Sequence, residues 1–405
     1  MFDAAQHPVR RLPVGEFTGM LALLFATIAF SIDAMLPALP AIAAELSPDA
    51  VNNAQLVLSF FVLGMGVGTL FVGPISDAIG RKVTIAIGSV LYVAGSALAW
   101  SSTGLEALLV ARFLQGLGAS APRVAGMALV RDLYAGREMA QIMSFVMMVF
   151  MVVPALAPLI GQAIIGSFGW RAIFLAYILF SIVSLSWVSF RQAETLAPAD
   201  RRPMTGANLW SGLKEVLSSS EVRVYILVMS LGFGQMFALL SSIQPIFDTT
   251  YGLAQSFPLW FAGIAAFSAV SSYVNSRFVM RVGMRRLATI AYGAEVVLAL
   301  VALILIGTGM VSGVASFAVF YIWGTSVFFI AGLTFGNLNA LAMQKLGHIA
   351  GMATSVITAI STVAAALIAG PVGLAYNGTA VPAILGALVC SLLSFWLMKR
   401  SETAY

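Results

Sequence analysis

Charged residues in this chain are few, and they are spaced so that long apolar runs lie between them. They make up 9% of its 405 residues, whereas about 25% is typical of soluble proteins. Many of the runs reach about 20 residues, the length that a helix needs to cross a bilayer. This pattern excludes a water-soluble enzyme and a disordered chain, and the runs are too long for the strands of a membrane barrel. The sequence therefore predicts an all-α polytopic membrane protein.

The spacing of the charges predicts twelve transmembrane spans. Two apolar runs, 286–345 and 345–399, are each long enough for two spans, and each contains a glycine turn. One long polar segment, 192–221, separates the first six spans from the last six. We therefore expect an N-terminal six-helix bundle at 1–191, a cytoplasmic linker at 192–221 and a C-terminal six-helix bundle at 222–405. Two such halves suggest a repeat-built transporter with its site between them.

The distribution of basic residues predicts the orientation in the membrane. With twelve spans both termini lie on the same side, and most of the lysines and arginines then fall on that side too. The acidic residues Glu45, Asp49, Glu106 and Asp248 fall on the other side. Because basic loops stay in the cytoplasm, we expect a multi-pass protein of the bacterial inner membrane with both termini cytoplasmic. Residues 209–217 of the linker are suited to a short amphipathic helix on the membrane face.

Residues that bind metals and cofactors are scarce. One cysteine and two histidines do not support a disulfide or a His-rich metal site. The chain has no Walker-type motif, so we expect no nucleotide cofactor and no ATP-driven transport. Its basic residues are dispersed, which does not suggest nucleic-acid binding. The sequence offers no catalytic cluster of an enzyme, so uphill transport would have to be coupled to an ion.

The loop between predicted spans 2 and 3 has the sequence GPISDAIGRK, from Gly73 to Lys82. Glycines permit a sharp turn and close helix contacts, and Asp77 can accept hydrogen bonds from a neighbouring helix N-terminus. The pattern is similar to the signature loop of the major facilitator superfamily, G-x-x-x-D-x-x-G-R-K/R. The resemblance implies that Gly73, Asp77, Gly80, Arg81 and Lys82 form a latch that holds one conformation of a transporter.

Motifs in spans 4 and 5 extend this resemblance. The sequence RFLQG, which starts at Arg112, looks like the superfamily's R-x-x-Q-G motif. Pro154, Pro158 and Gly161 look like the motif of its drug:proton antiporters. This chain lacks two glycines of that motif, and Gln162 replaces one of them.

Three segments resemble the Bcr/CflA-type drug exporters, a group that includes chloramphenicol and florfenicol efflux proteins. These segments are 33–40 in span 1, 131–132 after span 4 and 347–353 at the start of span 11. The resemblance covers nearly the whole chain and is denser in its first half. It implies two pseudo-symmetric six-helix halves, proton-coupled export of small amphipathic compounds, and a monomer.

Asp33 is a carboxyl group inside an apolar span, where burial disfavours its charged form. A group that gains and loses a proton is what proton coupling requires, and the resemblance implies a coupling acid here. The alternative is a protonated acid that only bonds a neighbouring helix. Arg112 needs a counter-charge or carbonyl groups when it is buried, so we expect either an intermittent pair with Asp33 or a structural anchor. Gln115 lies one helical turn away and can share this network.

Arg123 follows Arg112 by eleven residues, which places it on nearly the same helix face and about 16 Å along the axis. A second arginine departs from what the resemblance implies, since a small residue is common there. Two interpretations stay open: an anion-binding group in the substrate cavity, or a charge that reaches water near the inner mouth.

Candidate substrate contacts in the C-terminal half are aromatic and amide side chains of spans 7 and 10. Methionine and aromatic side chains form adaptable apolar pockets in promiscuous binders. The full predicted substrate set comprises Asp33, Arg123, Gln115, Gln235, Phe237, Trp323 and Asn337. Glu295 in span 9 is expected to be structural, because that span lies outside the cavity ring in the family.

These observations predict a proton-coupled exporter of small amphipathic compounds such as phenicols. A dedicated exporter or importer of one metabolite is the alternative, supported by Arg123 and by the incomplete motif in span 5. A membrane receptor that transports nothing is a third hypothesis.

Overall fold

The computed structural model describes residues 11–201 and 203–403, and within these ranges it contains helices and no strands. Residues 1–10 of the predicted N-terminal bundle and residues 404–405 of the predicted C-terminal bundle lie outside the described residues. The α-helices of the described ranges are α1 Val14–Asp33, α2 Leu39–Leu46, α3 Leu56–Ile79, α4 Arg81–Trp100, α5 Leu105–Leu133, α6 Gly136–Phe168, α7 Ala172–Arg191, α8 Gly206–Ser218, α9 Ser220–Pro245, α10 Phe257–Val282, α11 Met284–Gly307, α12 Gly313–Met343, α13 Ala350–Leu374 and α14 Val381–Thr403.

Twelve long helices in the described chain match the twelve predicted spans. α2 continues the first span after α1, with a 3₁₀ turn at Leu36–Ala38 between them, and α8 belongs to the linker. Eleven stretches of the described chain are long and apolar enough to cross a membrane, and α5 is the span that does not qualify. The physical reason is its composition, because Arg112, Gln115 and Arg123 lower its hydropathy.

Glycines allow α5 to contact α3 and α4 backbone to backbone. A Cβ atom on Gly116 would overlap the carbonyl oxygen of Phe61 in α3, and one on Gly118 would overlap the backbone of Tyr92 in α4. Small residues permit such close approach in membrane helices. α5 is therefore enclosed by its neighbours, which explains how a span with two arginines is accommodated.

One large hydrophobic core joins the two halves at one side of the molecule, and a smaller core of each half lies toward the other side. We call the side with the 77–82 loop the basic side and the side with Glu45 the acidic side. The largest buried cluster contains Phe61 of the N-terminal half together with Phe247 and Phe320 of the C-terminal half. Two smaller clusters lie nearer the basic side, and the buried residues of each come from a single half.

A cavity of about 430 Å³ lies between the halves on the basic side. The N-terminal half contributes Asp77 and Arg131 to its wall, and the C-terminal half contributes Gly351 at the start of α13. Residues of α8 complete the lining. A cavity therefore remains between the halves on the basic side, although α3 and α13 still approach each other there at Gly73 and Ser355.

The polar segment between α7 and α9 is attached to both halves. At its start, the Glu194 carboxylate accepts hydrogen bonds from the backbone N–H groups of Arg81 (2.9 Å) and Lys82 (3.0 Å), which begin α4. At its end, α8 buries Val216 in the core of the C-terminal half. The short helix α8 lies where the sequence suggested a helix at 209–217, and it connects this segment to α9.

Candidate functional site

Asp33 is the last residue of α1, at the point where the first span is interrupted. Pro37 follows within one turn and has no N–H group to continue the helix. The Asp33 side chain is only 5% exposed, and within the described residues it has neither a hydrogen bond nor an ion pair. A carboxyl group of this kind has no fixed counter-charge, so it can change its protonation state without breaking a salt bridge.

Gly161 of the antiporter motif packs directly against this interruption. A Cβ atom at Gly161 would overlap the carbonyl oxygen of Ala34, the residue after Asp33. Pro154 and Pro158 lie in the same helix, α6, two turns and one turn before Gly161 respectively. The motif thus brings α6 into backbone contact with the end of α1, next to the candidate proton site.

Arg112 is fully buried, and carbonyl groups and an amide hold its guanidinium group. Its Nε donates to the Val57 carbonyl (3.2 Å), its Nη1 to Gln115 Oε1 (2.5 Å) and its Nη2 to the Ser31 carbonyl (3.1 Å). The guanidinium also lies over the Phe61 ring, 4.4 Å from its centroid. The structure therefore brings Arg112 within two residues of Asp33 along α1 but does not pair the two charges.

Side chains that sequence reasoning did not select complete this network. The Tyr177 hydroxyl of α7 donates to the Ser31 carbonyl (3.2 Å), and the Tyr92 hydroxyl of α4 is 2.5 Å from the Ser31 hydroxyl. Gln115 donates to the Ser96 hydroxyl (2.8 Å). All these groups are buried. Serine and tyrosine are common in membrane spans, so only the three-dimensional arrangement identifies them.

Arg123 is exposed and unpaired, in contrast to Arg112. It has no hydrogen bond or ion pair among the described residues, and its neighbours Val124 and Ala128 line the cavity on the basic side. On the helical surface of α5, Arg123 lies between Gly116, which packs on α3, and Gly126, which packs on α1. A free cation therefore lies near the space between the halves.

The signature loop is organised around Arg81. Its guanidinium pairs with Asp77 and with Asp132 (3.0 Å) and also bonds the Ser76 hydroxyl (3.1 Å). In this structure Asp77 therefore pairs with a side chain of its own loop, whereas Glu194 caps the N-terminus of α4. The Asp77 side chain is half exposed in the cavity wall, across from α13.

Two glycines of this loop have a steric requirement. Gly80 has a φ of 107°, and a Cβ atom there would lie 2.5 Å from Glu194 Oε2. A Cβ atom on Gly73 would lie 2.9 Å from the Ser355 hydroxyl of α13. Asp132 and Glu194 could not be assigned to this site from the sequence, because both lie far from the loop along the chain.

The predicted substrate contacts of the C-terminal half are buried in this structure. Gln235 accepts a hydrogen bond from Ser391 of α14 (2.6 Å), and Asn337 donates to Asn275 of α10 (2.7 Å). Phe237 packs near Phe233. The structure brings none of these three into the Asp33 network, and their role in a substrate site stays a prediction.

Trp323 lies beside the second buried acid of the membrane region. Both Trp323 and Glu295 are at most 1% exposed. Ser326 donates to Glu295 Oε2 (2.9 Å), and the Trp323 side chain also interacts with the Glu295 carboxyl group. Glu295 is therefore enclosed between α11 and α12.

Comparison with known proteins identifies the family. The family model for the Major Facilitator Superfamily matches residues 21–369. The chain is 31% identical to "Uncharacterized MFS-type transporter YdgK" of Bacillus subtilis over 96% of each chain. It is 29% identical to "Bicyclomycin resistance protein homolog" of Haemophilus influenzae, over 91% of this chain and 92% of the relative. It is 31% identical to "Chloramphenicol resistance protein" of Pseudomonas aeruginosa, over 62% of this chain and 58% of the relative.

A solved structure supports the fold. The xylose transporter XylE from E. coli, in a partially occluded inward open conformation, superposes with a TM-score of 0.69 over 96% of this chain and 99% of that one. The two sequences are 12% identical, so the likeness concerns the fold alone. The relatives named for drug resistance confirm the resemblance to the Bcr/CflA-type branch. The chain is a multi-pass membrane protein of the major facilitator superfamily.

Proposed function

We propose that this protein is a proton-coupled exporter of small amphipathic compounds that works by alternating access. The observation that carries the proposal is Asp33, a buried carboxyl group at the interrupted end of α1 that has no partner in the described part of the chain. Intramembrane acids are costly and mark proton or substrate pathways in transporters. Asp33 also lies at the boundary between α1 and α6, where the antiporter motif packs. In this proposal Asp33 carries the proton and Arg112 modulates the exchange.

The direction of transport follows from the orientation that we propose. The basic side is cytoplasmic, both termini are cytoplasmic, and the protein acts in the bacterial inner membrane as a monomer. The compound enters from the cytoplasm through the space between the halves on the basic side. Rocking of the halves then opens the acidic side, where the compound leaves and a proton binds.

The Asp77 loop is the proposed latch of this cycle. In the present conformation Asp77 faces the start of α13 across the cavity. When the halves approach on the basic side, the carboxylate can meet the positive end of the α13 dipole. That contact would stabilise the state that is closed to the cytoplasm.

The names of the relatives suggest the first substrates to test. Two relatives are named for resistance to bicyclomycin and chloramphenicol. Both names fit small amphipathic compounds, and Arg123 would favour neutral or acidic ones. We propose no enzymatic activity, metal site or nucleic-acid partner for this chain.

Transport of one dedicated metabolite is a second candidate. Arg123 and the missing glycines of the span 5 motif favour it, because both depart from the pattern of a generalist exporter. A receptor without transport is the remaining alternative, and an unpaired acid at an interrupted helix argues against it.

A proteoliposome experiment tests the proposal. Purified protein is reconstituted with a pH-sensitive dye inside, a proton gradient is imposed, and chloramphenicol or bicyclomycin is added. We expect proton flux that depends on the compound, together with uphill movement of the compound. Flux with a single metabolite but no drug would favour the dedicated transporter, whereas no flux with any compound of a growth-assay panel would contradict the proposal.

A further inference from the structure

The carbonyl group of Ser31 is the point where two other helices, α5 and α7, contact the end of α1. The helix ends with a hydrogen bond from the Ala34 N–H to the Phe30 carbonyl (3.1 Å). The next carbonyl, that of Ser31, receives no backbone N–H in the described chain. It accepts instead from Arg112 (3.1 Å) and from the Tyr177 hydroxyl (3.2 Å). Two side chains therefore replace the bond that helix continuation would have made.

The interruption of α1 is fixed by the sequence and by packing. Pro37 supplies no N–H for the carbonyl four residues before it, which is that of Asp33. Gly161 lets α6 press against the Ala34 backbone from the other side. Ser31 and Asp33 thus lie together in the final turn of a helix whose end cannot be extended.

The carbonyl groups at a helix C-terminus carry partial negative charge, and this charge opposes a carboxylate in the same turn. A donor that binds one of these carbonyls offsets part of the opposition, and a buried hydroxyl does so without adding a formal charge. The environment of Asp33 therefore depends on how many donors the Ser31 carbonyl has.

We propose that Tyr177 is a positioning residue for proton exchange at Asp33. Its hydroxyl and the Arg112 guanidinium together cap the Ser31 carbonyl, and this cap sets the electrostatic environment of the neighbouring carboxyl group. The inference rests on the proposed role of Asp33 as the proton site. Arg112 then influences Asp33 through the backbone of α1, and Tyr177 shares that task from α7.

Few other charged or titratable groups face this helix end. Tyr92 of α4 reaches the Ser31 hydroxyl, not its carbonyl. α6 carries its charged residues, Arg137 and Glu138, in its first turn, far from Gly161. Arg123 lies on the same α5 face as Arg112 but about three turns away. The cap is therefore the main contact through which the surroundings act on the end of α1.

Carbodiimide labelling tests the inference independently of transport. Dicyclohexylcarbodiimide reacts with protonated carboxyl groups inside membranes, so its pH dependence at Asp33 reports proton occupancy. The full-length protein in detergent is labelled over a pH series, and mass spectrometry quantifies the peptide that contains Asp33. Tyr177→Phe removes one donor but keeps the ring contacts with Phe30 and Phe174. We expect labelling to persist to a pH about half a unit higher or more, because one hydrogen bond to the carbonyl is lost.

Two references make the result specific. Tyr292→Phe removes an equally buried hydroxyl of α11 in the C-terminal half, which lies at Thr334 and not at Ser31, and we expect it to leave the Asp33 profile unchanged. Glu295, enclosed between α11 and α12, serves as an internal control of folding, because any labelling of its peptide should be the same in Tyr177→Phe as in the wild type.

The outcomes separate this inference from the proposed function. An unchanged Asp33 profile in Tyr177→Phe, or an equal shift in both tyrosine variants, would overturn the positioning role, as would a wild-type Asp33 that is never labelled. A selective shift in Tyr177→Phe in a protein that moves no compound would support the positioning role and reject the transport function.

Discussion

Asp33 and Arg112 influence the same helix end, yet in this structure they form no ion pair. The guanidinium instead donates to the Val57 and Ser31 carbonyls and to Gln115. Substitution of either residue therefore breaks no salt bridge to the other. This separates the two residues as experimental targets, and substitution of Asp33 tests proton coupling without releasing Arg112.

We expect Asp33→Asn to abolish transport driven by a pH gradient and to leave binding of the compound measurable. Asparagine keeps the size of the side chain but cannot carry a proton. Uptake into proteoliposomes measures the first effect, and equilibrium binding in detergent measures the second. Glu295→Gln, a buried carboxyl group in the other half, is the matched control and should transport normally. Wild-type pH-driven transport by Asp33→Asn would reject Asp33 as the proton site.

Arg123 is expected to discriminate against permanent cations. An unpaired positive charge near the space between the halves repels a cation where the dielectric is low and attracts a carboxylate or polar oxygen. Arg123→Gln should weaken export of neutral and acidic compounds and relax the rejection of ethidium in a resistance panel. Arg137→Gln removes an exposed arginine from the start of α6 and should change neither. An unchanged substrate profile for Arg123→Gln would mean that this arginine is only a solvated charge.

α5 contacts its neighbours backbone to backbone, so substitution of its glycines should destabilise the packing of the helix. Gly116→Ala would put a methyl group onto the Phe61 carbonyl, and separating α3 from α5 should cost at least ~1–3 kcal/mol. Gly166 in α6 is the matched control, because a Cβ atom there meets nothing within 4 Å. Melting curves in detergent should show a lower midpoint for Gly116→Ala and an unchanged or higher one for Gly166→Ala. Equal midpoints would show that α3 and α5 separate without cost.

The loop between α3 and α4 is expected to bias the conformational equilibrium. Asp77→Asn removes a carboxylate that can stabilise the start of α13 by about 0.3–2 kcal/mol in the closed state, enough to shift populations several-fold. We expect more molecules open on the basic side, with substrate affinity retained. Spin labels at Ala135 and Gly347, introduced after Cys390→Ala, measure the separation of the halves. Unchanged distances together with lost affinity would contradict this role.

The number and order of helices could be predicted from the sequence, because apolar length alone decides where a chain can cross a membrane. The contact between α1 and α6 could be anticipated only as a motif at Gly161. The partners of Asp77 and Arg112 could not be predicted, since they come from residues distant in the chain, such as Glu194 and Ser31. Hydropathy also fails to identify α5 as a span, because this helix is surrounded by other helices and not by lipid.

At the scale of the whole molecule, one shared core closes the acidic side while two separate cores leave room on the basic side. Movement between two states would require the shared core to divide and the separate ones to approach. The buried contacts that must be exchanged are largely apolar, with a hydrogen bond from Ser242 to Gln55 Oε1 (3.4 Å) among them, so the two states can be close in free energy. Small changes at Asp33 or Asp77 are then enough to select between them.

The attachment of the linker at both ends has a consequence for the chain as a single polypeptide. Glu194 holds the start of the linker to the N-terminal half, and Val216 holds its end to the C-terminal half. Exposed Arg201 lies between these anchors and precedes another arginine, which makes it a trypsin site. Brief trypsin treatment should therefore give two fragments that elute together and still exchange protons for the compound. The covalent link between the halves would then only ensure that they are produced in equal numbers. Two separate genes, one for each half, could replace the single gene.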